Sequence, residues 1–307
     1  MRIEEELTRL VPPKETALTI GAFDGVHLGH RHLLELVKQR AQQEDLLSGV
    51  VTFKHHPQSV VHPQTQTPCL STLEERVELL KETPVNLVAV LSFTPEVARM
   101  QAQEFLSLLK KHLKMRCLIV GPDFTLGRER AGDFNHIRAE GEKIGFSVAS
   151  APAFSLNGET VSSTSIRRAL ALGDVARAGK LLGRHFSFTG KVVTTDKRGR
   201  SMGFPTANLS ISPETMLPAD GVYATITQVA GQSFVSVTNI GTRPTFGSSV
   251  KTIETHLLNY DGDLYEQQLK LEFVQRLREE RRFDSTAELK AQIKKDVAKT
   301  EAILCRK

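Results

Sequence analysis

The sequence predicts two domains of different fold class, an α/β domain followed by a small antiparallel β-barrel that ends in a helix. In the first half, continuous apolar runs alternate with amphipathic helical patterns, which is typical of a parallel sheet with helices on both faces. Near residue 184 the pattern changes to short alternating strands between glycine and proline turns. We therefore predict a Rossmann-like domain over 1–184 and a barrel domain over 185–307.

The same patterns predict the individual elements. In the first half the predicted strands are 15–20, 47–53, 85–92, 115–120 and 144–149, and the predicted helices are 28–43, 72–82 and 101–113. In the second half the predicted strands are 186–194, 221–229, 233–239, 252–258 and 267–275, and the predicted helix is 285–304. Because ligands bind beyond the carboxyl ends of parallel strands, the loops at 21–30, 54–57 and 121–132 are the first candidates for a site.

Composition and charge exclude several classes of protein. The chain has 307 residues and a net charge of +5, without a basic stripe interleaved with aromatic residues, so we expect no nucleic-acid partner. The N-terminus is too acidic for a signal peptide, and no apolar run reaches about 18 residues, so we expect no membrane segment. Cys69, Cys117 and Cys305 are widely spaced, which favours a reducing, cytoplasmic environment. We expect a monomer that acts on small molecules.

The segment 17–30 joins an apolar strand to the start of a helix through a glycine-containing turn. Glycines let the backbone approach a phosphate, and a helix N-terminus presents unpaired N–H groups to an anion. His27 and His30 are three residues apart, so both imidazoles lie on one face of the first turn and can hold a polyphosphate. Two histidines at this spacing are more commonly structural when they occur in isolation. Here they belong to the block GAFDGVHLGH (21–30). The predicted nucleotide-binding residues of this block are Gly21, Phe23, Asp24, His27, Gly29 and His30.

Two further loops of the first half carry candidate residues. In TFKHHP (52–57) the histidines lack a cysteine or carboxylate at ligand spacing, so capping of backbone groups is favoured over a metal site. In DFTLG (123–127), Asp123 can hold a ribose hydroxyl or the edge of an isoalloxazine ring.

In SSTSIRRAL (162–170), hydroxyls precede a helix and an arginine follows them. The simplest interpretation is an N-cap that only stabilises the helix. Because the chain also contains the block 21–30, we favour a second anion site formed by Ser163, Thr164 and Arg167.

The barrel half contains one informative turn, GRSMGFPTANL (199–209). Gly199 and Gly203 allow close approach to phosphate, and Pro205 restricts the turn. Thr206 and Asn208 point to the same side of an extended chain, and their oxygens suit the Mg²⁺ that accompanies ATP. A turn followed by an edge strand explains the pattern equally well. Glu254 either faces solvent as an ordinary strand carboxylate or accepts a proton.

Together, these blocks resemble the prokaryotic bifunctional riboflavin kinase/FMN adenylyltransferase family, also called FAD synthetase, whose first half belongs to the nucleotidyltransferase superfamily. The resemblance covers nearly the whole chain. It rests on the four blocks of the first half quoted above and on five blocks of the second: GRSMGFPTANL, GVYA (221–224), TNIGTRPTFG (238–247), ETHLLNYDGDLY (254–265) and LREERRF (277–283).

The resemblance implies both activities and the roles of the remaining residues. Riboflavin and ATP would give FMN in the barrel, and FMN and a second ATP would give FAD and pyrophosphate in the α/β domain. His56, Asp123 and Phe124 would bind the flavin in the first half. Glu254 would act on the ribityl 5′-hydroxyl, and Arg278 would help to close the flavin pocket of the kinase.

Departures from the family pattern leave alternatives open. His55 stands where the family usually has proline, and Thr125 and Leu126 stand where it usually has arginine and phenylalanine. An alternative function is therefore a riboflavin kinase or flavin-binding regulatory protein with an impaired adenylyltransferase half. A nucleotidyltransferase that acts on another phosphate is a second alternative, although the barrel argues against it.

Overall fold

The computed structural model describes residues 3–62, 64, 67–127, 132–194, 204–245 and 248–305, with the backbone alone for 243–245 and 248–250. Contacts within the chain divide it into two compact units, with the division after Ser163. The first is an α/β unit and the second contains a closed β-barrel.

The α/β unit alternates strands and helices along the chain. Its strands are β1 (Thr16–Ile20), β2 (Leu47–Phe53), β3 (Leu87–Leu91), β4 (Met115–Val120) and β5 (Ser147–Ser150), with a short hairpin of β6 (Ser155–Leu156) and β7 (Glu159–Thr160). Its helices are α1 (Ile3–Thr8), α2 (Leu28–Gln43), α3 (Pro57–Val61), α4 (Leu73–Lys81), α5 (Pro95–Arg99), α6 (Ala102–Leu113) and α7 (Phe134–Ile144).

The five-stranded sheet has the order β3-β2-β1-β4-β5, and every neighbouring pair is parallel. Both faces are buried: Leu18 and Ile20 of β1 pack into a core with α6, while Ala17 packs with Val37 and Ala41 of α2. The chain leaves β1 toward β2 and later returns to β4 on the opposite side of β1. The carboxyl ends of these strands therefore form the switch point at which ligands bind in open α/β sheets.

The second unit begins with two helices and continues into the barrel. Its elements are α8 (Ser163–Ala171), which starts at the division between the units, α9 (Val175–Leu182), β8 (Phe186–Val193), β9 (Ala207–Leu209), β10 (Gly221–Val229), β11 (Gln232–Thr245), β12 (Ser248–Leu257), β13 (Gln268–Arg278) and α10 (Thr286–Leu304). The barrel closes in the order β10-β11-β12-β9-β8-β13, and its strand pairs are antiparallel.

Strand register separates the interior of the barrel from its outer face. Tyr223 and Thr225 of β10 face Thr238 and Ser236 of β11, and all four are fully buried. Hydroxyl hydrogen bonds link this interior layer, including Thr238 to Thr255 of β12 at 3.0 Å. The alternate residues, among them Val222 and Val237, face outward and pack against α10. The candidate kinase residues Asn208 and Glu254 belong to this outer layer, since they follow it across the strands from Asn239.

Residues 164–184 group with the barrel rather than with the sheet. α9 packs against β13 and β8, and the Ala219 N–H donates to the Leu170 carbonyl of α8. The boundary after residue 184 stays a prediction, since it was placed where the periodicity changes and not where these helices pack.

The predicted fold class is confirmed, and the differences are in individual elements. The predicted strand 144–149 begins at Ser147, because residues 134–144 form α7, which ends in the left-handed Gly145 with φ of 90°. Strands β11 and β12 are longer than predicted, since the apolar alternation stops before the pairing does. Among the helices of the described ranges, none is long and apolar enough to cross a membrane.

Candidate active sites

The turn between β1 and α2 has an unusual backbone. Phe23 and Val26 adopt positive φ values of 50° and 37°, and Gly25 between them has φ of 76°. A β-branched residue in this region is strained, typically by about 1–3 kcal/mol. The strain is held by packing, because Phe23 and Val26 are buried in a core with Leu34 of α2. Such over-determined strain is common at ligand sites.

His27 and His30 lie together at the start of α2, as the spacing predicts. His27 is the N-cap, and its Nδ1 accepts the His30 backbone N–H at 3.3 Å. The two rings are stacked, with 3.6 Å between their centroids and 15° between their planes. The ring of Phe23 contacts His30 from below, at 4.9 Å. The first turn therefore presents a rigid imidazole pair rather than two independent side chains.

His30 is held in its neutral form. Burial lowers the pKa of His30 well below its usual value, and the charge of the adjacent His27 ring lowers it further. Its Nδ1 is buried and has no hydrogen-bond partner among the described residues. A buried polar atom without a partner in the protein is satisfied by an ordered water or by a ligand. An anion beside the ring would favour the protonated form and supply the missing interaction.

The segment 161–163 runs past the start of α2. A Cβ at Gly29 would lie 2.9 Å from the Val161 carbonyl oxygen and 3.2 Å from the His27 ring, so this position requires glycine. The Ser163 hydroxyl donates to the Asp24 carbonyl at 3.2 Å. The structure therefore brings Ser163 to the glycine turn. Thr164 and Arg167 lie on α8, which groups with the second unit, and their part in nucleotide binding stays a prediction.

Two other predicted side chains of the turn, those of Phe23 and Asp24, point inward, and Gly21 lies against the first of them. The Asp24 carboxylate is buried and accepts the Leu70 N–H at 2.9 Å and the Ser71 N–H at 3.2 Å. The Phe23 side chain is in the core, and a Cβ at Gly21 would lie 3.0 Å from its ring. These side chains shape the turn, and their contact with a nucleotide stays a prediction.

The predicted flavin residues of the first unit lie at two strand ends. His56 follows β2 and caps α3, because its Nδ1 accepts the Gln58 N–H at 3.2 Å. Asp123 is exposed in the turn after β4, and the half-buried Phe124 packs against the core. The capping role of a histidine at a strand end agrees with the sequence interpretation, and flavin binding by these residues stays a prediction.

The barrel aligns its candidate residues in one cross-strand row. Glu254 of β12 is the direct partner of Asn208 on β9 and of Asn239 on β11. Asn239 pairs in turn with Val222, and Val222 with Arg278 of β13. Side chains of direct partners lie on the same face, with Cβ atoms about 4.5–5.5 Å apart. An amide, a carboxylate and a second amide are therefore adjacent on the outer face of the barrel.

The start of the Pro205–Asn208 segment is anchored by His256. The carbonyl of Pro205 accepts a hydrogen bond from Nδ1 of His256 at 2.8 Å, and the ring of Phe204 packs edge-on against the same imidazole. Because a carbonyl only accepts, Nδ1 carries the proton. Thr206 is exposed and Asn208 is buried. Gly199 and Gly203 lie outside the described residues.

The side chain of Arg278 forms an ion pair with the final helix. Its guanidinium donates to both carboxylate oxygens of Asp296, at 2.9–3.2 Å, and the Asp296 side chain is 5% exposed. Gln292 also donates to Asp296, and Arg281 donates to Gln292. The predicted contact of Arg278 with flavin stays a prediction, and the structure adds an ion pair that joins α10 to β13.

Sequence reasoning missed four residues that the structure connects to these sites: Arg76, Asn239, His256 and Asp296. Asn239 and His256 lie inside the quoted blocks 238–247 and 254–265, so the signal was present but had no role attached. Arg76 lies on α4 behind a Thr72–Glu75 capping box, a pattern that reports a helix start and not a site.

Fold and site geometry together define the class of protein. The α/β sheet carries a stacked imidazole pair at its switch point, and the barrel carries an amide–carboxylate row. This combination is typical of a transferase with one candidate site in each unit. The comparisons with known proteins agree. A family model described as FAD synthetase matches residues 11–165, and one described as riboflavin kinase matches residues 182–304.

Relatives match over almost the full length. The bifunctional riboflavin kinase/FMN adenylyltransferase of Escherichia coli (strain K12) is 39% identical, over 93% of this chain and 91% of its own. The protein of the same name from Haemophilus influenzae is 36% identical, over 93% of each chain. The chain therefore belongs to the bifunctional riboflavin kinase/FMN adenylyltransferase family.

A solved structure has the same fold. The crystal structure of a protein named macrolide-efflux protein from Streptococcus pneumoniae is similar with a TM-score of 0.87 and 29% identity, covering 96% of both chains.

Proposed function

We propose that the chain phosphorylates riboflavin with ATP to FMN in the barrel unit, and adenylylates FMN with a second ATP to FAD in the α/β unit. The proposal is carried by the family membership over 93% of the chain, together with two family models that match different parts of it, residues 11–165 and 182–304. Riboflavin, FMN and ATP are its small-molecule substrates.

In the α/β unit the FMN phosphate attacks the α-phosphate of ATP. This nucleophile is already an anion, so no general base is needed, and catalysis consists of positioning and neutralisation of charge. His27 and His30 donate hydrogen bonds from a preorganised stack, and Ser163 adds a hydroxyl. Thr164 and Arg167 contribute further donors to the triphosphate.

The flavin of the α/β unit binds at the loops after β2 and β4. His56 is fixed as a cap, Asp123 is exposed, and Phe124 is half-buried, so a planar ring system meets one aromatic and two polar groups. The departures at His55, Thr125 and Leu126 lie in these loops and not at the imidazole pair. We therefore expect them to affect flavin affinity more than the chemical step.

In the barrel unit Glu254 orients the ribityl 5′-hydroxyl. A carboxylate is too weak a base to ionise an alcohol in advance, so in a loose phosphoryl-transfer transition state it takes the proton late. The direct pairing with Asn208 puts an amide side chain beside the carboxylate.

Mg²⁺ fits the donor set of the barrel. Thr206 and Asn208 offer a hydroxyl and an amide oxygen, which are the hard ligands that Mg²⁺ prefers. Thr206 and Asn208 would hold the metal, which would supply positive charge to neutralise the ATP phosphates. Gly199 and Gly203 are proposed to approach the phosphates.

We further propose that the protein acts in the cytoplasm as a monomer. Cys69, Cys117 and Cys305 are free thiols, which supports a reducing compartment.

A single assay tests the proposal. The protein is incubated with riboflavin, ATP and MgCl₂, and the flavins are separated by chromatography at several times. We expect FMN to appear first and FAD to follow at its expense. If riboflavin gives FMN but no FAD, and FMN supplied as the substrate also gives no FAD, a riboflavin kinase or regulatory flavin-binding protein is favoured. Turnover of another phosphate acceptor in place of FMN would favour the second alternative.

A further inference from the structure

Arg76 is a buried arginine outside every motif of the sequence. It lies on α4, and its side chain is only 3% exposed. Buried guanidinium groups are rare unless they are paired or hydrogen-bonded, because removing the charge from water is unfavourable. Burial lowers the pKa of Arg76, and the Asp24 carboxylate nearby opposes this change. The group remains charged because an arginine does not lose its proton in proteins.

The guanidinium joins the ends of two neighbouring strands. Nη1 donates to the carbonyl of Ala22, directly after β1, at 3.0 Å. Nη2 donates to the carbonyls of Phe53 and Lys54 at the end of β2. Ala22 begins the glycine turn that leads to the imidazole pair, and Lys54 begins the loop that carries His56. A single rigid fork therefore connects the triphosphate turn to the flavin loop.

The segment that carries Arg76 also holds the glycine turn from the other side. The Asp24 carboxylate accepts the backbone N–H groups of Leu70 and Ser71. The Gly25 N–H donates to the Ser71 hydroxyl at 3.0 Å. Residues 70–76, which we call the clamp segment, thus contact the turn at three residues, Ala22, Asp24 and Gly25. The strained backbone of this turn is therefore held by the clamp segment as well as by the Ser163 hydroxyl.

We propose that Arg76 is a positioning residue for adenylyl transfer, which sets the distance between the triphosphate turn and the flavin loop. The proposal rests on the proposed function of the α/β unit. Transfer requires the FMN phosphate and the α-phosphate of ATP to meet in line, and these two substrates are expected on the two loops that Arg76 joins. A displacement of about 1 Å between reacting groups lowers the rate by roughly 10²-fold.

Lysine is the informative replacement. Its ammonium keeps the charge, but it is a point donor on a flexible stem and lacks the planar fork that reaches both loops. In Arg76→Lys each substrate should still bind to its own loop, while the relative position of the loops is no longer defined. A residue that only stabilises the fold would affect the thermal transition and both substrate affinities, rather than the catalytic rate.

The experiment compares Arg76→Lys with Arg40→Lys in the full chain. Arg40 is matched, because it lies in the same unit and pairs with Glu44 on the outside of α2. We expect Arg76→Lys to lower kcat for FMN adenylylation by about 10–100-fold. The KM values for ATP and FMN should change much less, and riboflavin phosphorylation by the same molecules should be unchanged. Arg40→Lys should leave both activities unaltered.

A second variant separates position from folding. Arg76→Ala removes the guanidinium group and leaves space for a small ion. Added guanidinium or methylguanidinium ions should therefore restore part of kcat in Arg76→Ala. The same ions should not restore kcat in Arg76→Lys. Calorimetry follows the thermal transition of each variant, since the chain contains no tryptophan.

Several outcomes would overturn the proposal. Wild-type kcat in Arg76→Lys, or a rise of both KM values at unchanged kcat, would assign Arg76 no part in positioning. If Arg76→Lys loses the thermal transition of the α/β unit, Arg76 has a structural role. The same conclusion follows if Arg76→Ala is folded but guanidinium ions do not restore its kcat. Wild-type protein that makes no FAD would overturn the proposed function and this proposal together, whereas an active wild type with an active Arg76→Lys overturns this proposal alone.

Discussion

The two candidate sites of this chain are built in opposite ways. The site of the α/β unit is local in sequence: a glycine turn, an N-cap and the first turn of α2 supply most of it within residues 21–30. The site of the barrel is assembled from β9, β11 and β12, and its row Asn208–Glu254–Asn239 exists only because of strand register. The first is buried and strained, and the second lies on an outer face.

This difference teaches where each site is vulnerable. In the α/β unit the contacts that define the site are backbone conformation, ring stacking and capping, so changes of shape should be more harmful than changes of charge. In the barrel the proposed chemistry depends on one carboxylate, that of Glu254, whose position is set by the hydrogen-bond ladders to β9 and β11. Loss of that side chain should therefore abolish activity without disturbing the fold.

The largest effect is expected in the barrel. Glu254→Ala removes the carboxylate that orients the ribityl hydroxyl, so FMN formation should fall by about 10²–10⁴-fold. FMN conversion to FAD by the same protein should persist, since the imidazole pair is in the other unit. Both rates are measured by flavin chromatography. Glu214→Ala, which changes an exposed glutamate of the same unit, is the control. A parallel loss of both activities in a folded protein would contradict the separation of the sites.

The reciprocal change is expected to be somewhat smaller. His30→Ala removes one donor of the stacked pair, and FAD formation should fall by about 10²–10³-fold, the usual effect of losing a preorganised donor. Riboflavin phosphorylation should be spared. His32→Ala is the control, because His32 is on the same helix but contacts Phe154 instead of His27. An FAD yield equal to that of the wild type would remove His30 from the site.

A moderate effect is expected at the ion pair between Arg278 and the final helix. Asp296→Asn removes a buried charge opposite Arg278, and the free energy of unfolding of the barrel unit should fall by about 1–3 kcal/mol. Urea titration followed by circular dichroism measures it, with the exposed Asp284→Asn as control. If Arg278 also contacts flavin, the KM for riboflavin should rise in the same variant. Unchanged stability would show that α10 is held by its apolar contacts alone.

The smallest effect concerns pH. The pKa of His30 is below its unfolded value near 6.5, so below that pH the unfolded chain takes up a proton that the folded site does not. The stability of the α/β unit should therefore be lost progressively as the pH falls below about 6.5, by at most about 1.4 kcal/mol per pH unit for this one group. Calorimetry should show a weaker dependence in His30→Ala, and an identical dependence would contradict the depressed pKa.

The fold class was predictable because it depends on periodicity. Apolar runs in β1, β2 and β4 have no solvated face, and that alone indicates a sheet covered on both sides. The helix α7 was missed because its polar residues dominate and its apolar face is narrow. The imidazole pair was predictable for a similar reason, since the spacing of His27 and His30 fixes their common face whatever the rest of the chain does.

Other parts of the sites depended on contacts that are distant in sequence. Asp24 was predicted as a nucleotide ligand, and the fold places its carboxylate on the backbone of residues 70 and 71, which no local pattern reports. Arg278 was predicted to face flavin, and a residue on α10 neutralises its charge. Register pairs Glu254 with both asparagines, and register is a property of the whole barrel.

By itself, the sequence determined the two fold classes, the glycine turn with its histidine pair and the candidate residues of the two sites. Only the tertiary structure decided that Arg76 ties the ends of β1 and β2 together, that Asn239 stands beside Glu254, and that Asp296 holds Arg278. The physical reason is that periodicity, capping and turn conformation act over a few residues, whereas hydrogen bonds and ion pairs between elements depend on where the packed elements bring them.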